Sequence, residues 1–326
     1  MIAYVTGGSG VVGRVLVQHL VAAGHSVRAL ARSASAASSV RAMGAEPIPG
    51  DLSDYRSLVD GMTGASAVFH VAGVNEMCSV DPAPMYRANV DGTRNAVRAA
   101  GATGVERLVY TSSAVVLGEH RGEVGDEGSK HRGFFLSHYE RSKALAEEVA
   151  FAEAREVEVV AVNPSSVQGP GRATGTGRLL LDVTNGDLGV MIDADLSIVD
   201  IDDCARGHLL ALENGTPGSR YVLSGFTMSA RQAVALLGMV TGRSRTVRFV
   251  PAALATAGGG AAEVAFRMMR RQPPVCREML RVLQHGHKYD GSKATRDLGL
   301  EYTPAEVTIR RTVDWFRSEG LLKSPD

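Results

Sequence analysis

Near its N-terminus the chain carries a glycine-rich loop between a short apolar run and an amphipathic segment. The run Ile2-Ala3-Tyr4-Val5 predicts a buried strand, and residues 14–21 predict a helix that is apolar on one face. Between them lies Thr6-Gly7-Gly8-Ser9-Gly10-Val11-Val12-Gly13. A strand, a glycine loop and a helix in this order are typical of a site that binds a dinucleotide.

Each glycine of this loop has a physical reason. Gly7 and Gly8 allow a sharp turn, Gly10 lets the backbone approach a pyrophosphate, and Gly13 lets helix and strand pack closely. The helix N-terminus offers free N–H groups and the positive end of its dipole to phosphates. A glycine-rich turn without a ligand is the alternative. The position of the loop, at the start of an alternating β/α chain, favours the dinucleotide.

Composition excludes several other classes of protein. The 326 residues are 44% hydrophobic and 21% charged, as in globular proteins, and suffice for one large domain or two coupled ones. Lys plus Arg and Asp plus Glu both number 35, so no net charge favours nucleic acid or an anionic membrane. No apolar run is long enough for a membrane span, and the chain opens directly into a strand rather than a signal peptide.

The three cysteines, Cys78, Cys204 and Cys276, are far apart in the sequence and form no Cys-x-x-Cys pair. We therefore expect neither a metal site nor a disulfide framework, and a cytoplasmic location fits this cysteine usage.

The second strand, residues 27–31, bears on the choice between NAD and NADP. An acidic residue about 20 positions after the glycine loop would bind the ribose diol of NAD, but Ala31 stands there. Arg32 next to it is suited to a 2′-phosphate, and Ser33 and Ser35 could add hydroxyl donors. A solvated surface arginine is the alternative. The pattern favours NADP, with NAD possible.

Two further strands lead to the same edge of the predicted sheet. After residues 46–50, Asp51 could accept a hydrogen bond from the adenine amino group, or cap the next helix in competition with Ser53 or Asp54. In the strand 67–73, His70 sits in an apolar run, which favours a buried structural histidine over a catalytic one. The small residues that follow it leave room for a cofactor.

Polar residues at this edge are candidates for a catalytic role. Asp81-Pro82 predicts the start of a helix whose inward stripe includes Asn89, a polar residue that must find partners. The strand 106–111 ends in Ser112-Ser113, at the carboxyl edge of a parallel sheet where ligands bind. The alternative for this pair is two turn serines.

Tyr139 and Lys143 lie four residues apart on a helix predicted from Ser137 to about Ala154, so they share a face. A neighbouring ammonium lowers the pKa of a phenol, which would make Tyr139 a proton donor or acceptor near neutral pH. A Tyr-x-x-x-Lys pair is mostly structural when it stands alone. Its combination with the two serines and the glycine loop favours catalysis.

The second half of the chain alternates shorter elements. After a strand at 157–162, residues 163–171 leave the binding edge again, and a helix from Ile198 to Leu212 is expected to return to the main sheet. Residues 252–265, followed by the basic stretch 267–271, are predicted to form a helix of the pocket wall rather than one on a membrane surface.

We expect an α/β fold: a Rossmann-type doubly wound parallel sheet with a smaller C-terminal α+β substrate domain. The dinucleotide-binding domain is expected to span residues 1–163, and residues 164–326 are expected to form mainly the substrate-binding domain. Residues at about 190–212 are expected to rejoin the first domain.

Taken together, the motifs resemble the extended short-chain dehydrogenase/reductase family. They follow in family order, from the glycine loop through Asp51-Leu52, His70-Val71-Ala72-Gly73, Asn89-Val90-Asp91-Gly92-Thr93, Thr111-Ser112-Ser113, Tyr139 with Lys143, and Asn163-Pro164 to Pro170, and on to Asp200-Ile201-Asp202-Asp203 and Leu298-Gly299. Residues 85–93 and 138–143 most resemble the dihydroflavonol-reductase-like branch, which includes the hopanoid-associated sugar epimerase group.

The resemblance implies roles for particular residues. Tyr139 would be the acid/base, Lys143 would tune it and hold the nicotinamide ribose, and Ser113 would be the catalytic serine, with Ser112 as the near alternative. Asn89 would support the site and its water relay, and the backbone of Val167 would meet the nicotinamide carboxamide. The expected cofactor-binding set is Thr6, Gly7, Gly10, Val11, Val12, Gly13, Arg32, Asp51, Leu52, Val71, Ala72, Gly73, Thr111, Tyr139, Lys143, Pro164 and Val167.

The leading function is an NADP(H)-dependent oxidoreductase that reduces a ketone or aldehyde to an alcohol, with Tyr139 protonating the emerging alkoxide. The alternatives are an NAD(P)-dependent epimerase or dehydratase of a sugar or sugar nucleotide, and a non-catalytic NADP-binding sensor. Leu117 stands before Gly118 where many sugar-nucleotide members carry tyrosine, and no Arg-Pro-Gly-Asp stretch follows near the C-terminus. Both points favour the reductase.

The expected partner is a small carbonyl or alcohol substrate. Nucleic acid is not expected as a partner, and a homodimer is one possible assembly.

Overall fold

A computed structural model describes residues 1–243, 245–251, 263, 266, 268, 269, 271, 273 and 275–323. The first half alternates strands and helices: β1 (Ile2–Thr6), α1 (Val11–Ala22), β2 (Ser26–Ala31), α2 (Ala34–Ala42), β3 (Glu46–Pro49), α3 (Tyr55–Met62), β4 (Ala67–His70), α4 (Ala83–Tyr86), α5 (Gly92–Ala102), β5 (Arg107–Thr111), β6 (Val124–Gly125) and α6 (His138–Ala152). A π-helical turn, Arg87–Asp91, joins α4 to α5, and a 3₁₀ turn, Ala114–Leu117, follows β5.

The second half has shorter elements: β7 (Glu158–Pro164), β8 (Ser166–Gln168), α7 (Thr176–Asn185), β9 (Val190–Met191), β10 (Asp195–Asp200), α8 (Ile201–Asn214), β11 (Arg220–Leu223), β12 (Phe226–Ser229), α9 (Ala230–Thr241), β13 (Arg248–Phe249), α10 (Arg277–His285), β14 (Lys288–Tyr289) and α11 (Ala305–Ser318). A second π-helical turn, Ala294–Leu298, lies between β14 and α11.

Seven strands form one parallel sheet in the order β11-β7-β5-β4-β1-β2-β3. The strand order reverses between β1 and β4, which pair with Thr6 opposite His70. In such a sheet a crevice opens outside the carboxyl ends of the strands at the reversal point. The Rossmann-type doubly wound fold is therefore confirmed, and it places the glycine loop at this crevice.

The core has two layers, one on each face of the sheet. In β1, Ala3 and Val5 face the layer that contains Leu16 and Leu20 of α1, whereas Tyr4 faces the layer of α3, α5 and α6. All five of these side chains are fully buried. Because the strands are covered on both faces, their sequences read as continuous apolar runs, which is the pattern that identified them.

A smaller part of the molecule is built from α7, α9 and α11, whose apolar side chains pack around Leu181, Leu237 and Phe316. Short strand pairings accompany it: β12-β10-β8, β13-β9 and β14-β6. The chain returns to the main sheet at α8, which packs on α1, and at β11, which pairs with β7. The expectation of a helix from Ile198 is wrong for its first residues. Residues 195–200 are β10, and the helix begins at Ile201 because the Asp200 side chain caps it.

The cysteine prediction is wrong. Cys78 and Cys276 form a disulfide with a Cα–Cα distance of 5.6 Å, although 198 positions separate them in the sequence. Cys78 lies in the loop after β4, and Cys276 caps α10, so tertiary packing brings together two cysteines whose sequence spacing carries no such signal. Cys204 is a buried free thiol.

The expected pocket-wall helix at 252–265, with the basic stretch 267–271, lies almost entirely outside the described residues. Within the part of the chain that the structure describes, no helix combines the length and apolar character needed to cross a bilayer.

Candidate active site

The glycine loop has the shape that a bound pyrophosphate needs. Gly7 has φ +73°, and a Cβ there would lie 2.7 Å from the backbone of Ala72 at the end of β4. A Cβ at Gly13 would lie 2.1 Å from the carbonyl oxygen of Gly7. Gly10 begins α1 with no side-chain cap, so the first-turn N–H groups are left for a ligand. The residues present therefore fit the phosphates of a dinucleotide.

The expected adenosine end is formed by the loops after β2 and β3. Arg32 is exposed and lies close enough to Asp51 for its charge to act on that carboxylate. Hydrogen bonds from Ser53 lower the pKa of Asp51 most, and Arg32 lowers it further. Asp54, rather than Asp51, caps α3 through the N–H groups of Arg56 and Ser57. This settles which residue is the cap and leaves Asp51 and Arg32 side by side.

The hydroxyls next to Arg32 are partly occupied. The Ser33 hydroxyl accepts from the N–H of Ala36 as the cap of α2, and it lies 3.0 Å from the Ser35 hydroxyl. Leu52, in the next loop, accepts a hydrogen bond at its carbonyl from Asn95, which ties that loop to α5.

His70 is a structural residue, as the sequence predicted. Its Nδ1 lies 2.7 Å from the Thr6 hydroxyl, and its Nε2 lies 3.0 Å from the Thr93 hydroxyl. Thr93 donates its own proton to the carbonyl of Asn89, so it accepts from Nε2–H, and Nδ1 accepts from Thr6. Burial lowers the pKa of His70 to about 3, and the charge of Lys143 contributes. His70 is therefore neutral and fixes the ends of β1 and β4.

Asn89 connects three parts of the site. Its Nδ2 donates to the carbonyl of Val74 (2.9 Å) and to the Ser142 hydroxyl (2.9 Å), and its Oδ1 accepts from the N–H of Val74 (2.7 Å). It lies in the π-helical turn Arg87–Asp91, a conformation that is frequent at functional sites. The buried amide thus holds the loop that follows Val71, Ala72 and Gly73 against α6.

Lys143 faces the ends of β4 and β5 from α6. Its ammonium donates to the Tyr110 hydroxyl (2.8 Å) and to the carbonyl of Thr111 (2.7 Å). A Cβ at Gly73 would lie 3.8 Å from Nζ, so this glycine opens onto the lysine. Burial lowers the pKa of Lys143 to about 7, against the charge of Glu147, which raises it.

Tyr139 lies on the same helix, and its phenol is close enough to the Ser113 hydroxyl for a hydrogen bond from that hydroxyl to act on its pKa. Burial raises the pKa of Tyr139, while that hydrogen bond and the charge of Arg172 lower it. The net direction is upward, so the expectation that the Lys143 ammonium lowers this pKa is wrong for the site without a cofactor. The reason is burial of the phenol, which outweighs the effects of Ser113 and Arg172.

The structure distinguishes the two serines after β5. The Ser113 hydroxyl lowers the pKa of Tyr139, whereas the buried Ser112 hydroxyl lies near Tyr110, the phenol that accepts from Lys143, and has no hydrogen-bond partner among the described residues. Ser113 is therefore the serine beside the proposed acid, and Ser112 lies one contact further away.

Arg172 is a site residue that the sequence reasoning missed. It follows residues 163–171, acts electrostatically on Tyr139, and has a buried Nε that finds no hydrogen-bond partner among the described residues. The signal available in the sequence was an arginine placed directly after residues 163–171, the loop predicted to leave the binding edge. Pro164 ends β7, and Val167 lies in β8 opposite Val199, so both flank the same edge.

Several contacts fix the start of α6 and hence Tyr139. The Ser137 hydroxyl caps the helix, and a buried ion pair joins Arg132 to Glu140. From α10, the carboxylate of Glu278 accepts from the N–H groups of Cys78 and His138. Helix α6 is thus tied to both the loop after β4 and the C-terminal part.

Comparison with known proteins agrees with this fold. The model of the NAD dependent epimerase/dehydratase family matches residues 3–224. A Synechocystis sp. protein that carries the name of a dihydroflavonol 4-reductase is 33% identical, over 98% of this chain and 96% of its own length.

Two solved structures are also similar. The crystal structure of gox2253 is 32% identical with a TM-score of 0.85, and 99% of each chain is covered. MoeE5 in complex with UDP-glucuronic acid and NAD is 26% identical with a TM-score of 0.75, over 98% of this chain and all of the other.

Proposed function

Because the chain belongs to the NAD-dependent epimerase/dehydratase family, of the extended short-chain dehydrogenase/reductase type, we propose that it reduces a ketone or aldehyde to an alcohol with NADP(H). That it is an NAD(P)-dependent oxidoreductase follows from the family and from its reductase relatives. The finer proposal rests on one observation above the others. A phenol, Tyr139, lies beside the Ser113 hydroxyl at the carboxyl edge of the parallel sheet, close enough for that hydroxyl to lower its pKa.

The chain's own residues would hold the dinucleotide along this edge. The uncapped N-terminus of α1 at Gly10 would bind the pyrophosphate, and Lys143 would bind the nicotinamide ribose. Ala72 and Gly73 supply the small surface over which the nicotinamide end would pass. When bound, the reduced dinucleotide supplies the hydride.

The protein itself would supply the proton that the substrate oxygen needs. A carbonyl that accepts a hydride develops negative charge on its oxygen, and a hydrogen bond from Ser113 would stabilise that charge. Tyr139 would then donate its proton to the oxygen. The raised pKa of Tyr139 keeps the phenol protonated and ready to donate in the direction of reduction. Arg172 and protonated Lys143 would stabilise the phenolate that remains.

The preference for NADP(H) is supported by the surface after β2. Ala31 offers no carboxylate to a ribose diol, and the exposed guanidinium of Arg32 is free to pair with a 2′-phosphate. Asp51 beside it is positioned for the adenine side of the same site.

A second candidate is an epimerase or dehydratase acting on a sugar or sugar nucleotide. It is supported by the similarity to MoeE5, whose complex holds UDP-glucuronic acid and NAD. Such an enzyme retains its cofactor through each turnover, whereas a reductase exchanges it. A non-catalytic sensor is disfavoured because Ser113, Tyr139 and Lys143 are all present at the edge.

The discriminating experiment measures cofactor release and turnover together. The purified protein is analysed for co-purified nucleotide, and a panel of ketones and aldehydes is then assayed by the loss of NADPH absorbance. We expect rapid NADPH exchange and consumption with at least one carbonyl compound. Tightly held NAD, with no carbonyl-dependent consumption but with interconversion of a UDP-sugar, would reject the reductase in favour of the second candidate.

A further inference from the structure

Three side chains with metal-binding atoms converge beside the start of α6. Glu119 follows the 3₁₀ turn after β5, whereas His285 and His287 stand at the end of α10 and before β14. The Glu119 Oε1 lies 2.6 Å from His287 Nδ1 and 3.3 Å from His285 Nε2. The three candidate ligand atoms all lie within 4.8 Å of one another. None of these residues belongs to the dinucleotide edge.

The backbone explains how the two histidines meet one carboxylate. Gly286 has φ +69°, the left-handed region that glycine favours, and it turns the chain between them. The two imidazole rings are 4.7 Å apart at their centroids. The short strand that follows pairs with β6, and this pairing fixes the segment near Glu119. Residues more than 160 positions apart are therefore held in one cluster.

The charges of this region favour a cation. The side chain of Glu119 is 1% exposed, and its ion-pair partners among the described residues are imidazoles alone. The nearby guanidinium of Arg132 is engaged by the carboxylate of Glu140, and it reaches Glu119 only at the backbone carbonyl. Two buried carboxylates thus share one buried guanidinium. The Glu119 carboxylate is buried, and the two imidazoles beside it hold its pKa low, at about 2, so it is ionised and available to a cation.

Two atoms of the cluster are buried without a hydrogen-bond partner in the part of the chain that the structure describes. They are Oε2 of Glu119 and Nε2 of His285, whose side chains are 1% and 6% exposed. The first is a carboxylate oxygen, and the second is an imidazole nitrogen that offers its lone pair when the ring proton is on Nδ1. Two imidazoles with one carboxylate form a ligand set typical of Zn²⁺, which leaves a fourth position for water or another oxygen.

We propose that Glu119, His285 and His287 bind a divalent transition-metal ion of the Zn²⁺ class. A ligand spacing of 3.3 Å, as between Oε1 and His285 Nε2, suits an ion with bonds of about 2.0–2.1 Å. His287 Nδ1 lies 2.6 Å from Oε1 and 2.8 Å from the Tyr289 hydroxyl. Metal binding would release the proton held between Nδ1 and Oε1 to solvent, displace the Tyr289 hydroxyl from Nδ1, and turn the carboxylate to offer Oε2. The ion would join the loop after β5 to the C-terminal segment.

Direct binding of Zn²⁺ alone to the full-length protein, stripped with a chelator, tests this proposal. Zn²⁺ is titrated in competition with a chromophoric chelator, and Co²⁺ is added separately because its visible absorption reports tetrahedral coordination. We expect one equivalent of tightly bound Zn²⁺ and a tetrahedral Co²⁺ spectrum. His285→Gln and His287→Gln should each weaken binding at least about tenfold, and Glu119→Gln should do the same.

His131→Gln is the matched control, since His131 lies near Glu119 on an exposed loop but outside the ligand set. It should bind Zn²⁺ as wild type does. Circular dichroism of each variant without metal shows whether it is folded. The wild-type Co²⁺ spectrum tests the site even where a variant fails to fold. The proposal is overturned if wild type binds no stoichiometric Zn²⁺, if Co²⁺ takes only an octahedral spectrum, or if folded His287→Gln binds as tightly as wild type.

Discussion

The ammonium of Lys143 donates a hydrogen bond of 2.8 Å to the hydroxyl of Tyr110. It also lies 4.6 Å from the centroid of the Tyr110 ring. Burial raises the pKa of Tyr110 well above its usual value, so this phenol stays neutral and does not compensate the lysine charge. The lysine is therefore held in a buried position where its proton is only loosely bound, with a pKa of about 7.

This position makes the affinity for NADPH depend on pH. Protonated Lys143 attracts the anionic cofactor, and binding in turn raises its pKa, so affinity is highest below about pH 7 and falls as pH rises above it. The fall is at most about tenfold per pH unit. Fluorescence titration of NADPH measures it. Lys143→Met should lose this slope, whereas exposed Lys130→Met should keep it. An unchanged slope in Lys143→Met would remove Lys143 from the cofactor site.

Ser113 should matter more for turnover than Ser112. Ser113→Ala removes the hydroxyl that lowers the pKa of Tyr139 and would bond to the reacting oxygen, so we expect kcat to fall about 100-fold. The Ser112 side chain lies near Tyr110 instead, so Ser112→Ala should lower kcat much less. Steady-state kinetics with any reduced substrate compares the two variants. A larger loss in Ser112→Ala would exchange their roles.

Cofactor preference should follow the residues at the end of β2. The double change Ala31→Asp with Arg32→Ser supplies a carboxylate for a ribose diol and removes the partner of a 2′-phosphate, so preference should move toward NAD. Dissociation constants for both cofactors are measured in wild type and in the variant. Exposed Arg56→Ser is a control outside the proposed phosphate site. Tighter binding of NAD than of NADP by wild type would contradict the assignment.

The Cys78–Cys276 disulfide should stabilise the oxidised protein. It closes a long loop, and such cross-links contribute about 2–4 kcal/mol by restricting the unfolded chain. Denaturant unfolding should therefore shift to lower concentration on addition of reductant. The double variant Cys78→Ser, Cys276→Ser should show no such shift. Recovery of all three cysteines as free thiols from oxidised, denatured protein would show that the bond does not form.

Local pattern was enough to predict the main sheet and the elements that carry the site. The apolar run before Gly7 and the 3.6-residue spacing around Tyr139 depend only on neighbouring residues, and their positions agree with β1 and α6. His70 was also predictable, because a single polar residue within an apolar strand must be buried and paired.

Contacts between distant segments could not be predicted in this way. The partner of Lys143 depends on how α6 packs on β5, and the partner of Cys78 depends on where α10 lies. Arg172 was missed because its relation to Tyr139 arises from the path of the loop after β7. In each case the sequence contains the residues but not the distance between them.

Replacement of Tyr139 by phenylalanine tests the chemistry most directly, because it removes the proton and preserves the ring. Turnover with NADPH and a carbonyl substrate is compared with that of wild type and of Tyr55→Phe, a control at an exposed phenol. We expect Tyr139→Phe to lower kcat at least about 100-fold while NADPH affinity changes little, and Tyr55→Phe to match wild type. Turnover of Tyr139→Phe near the wild-type value would contradict the account and place the proton donor elsewhere.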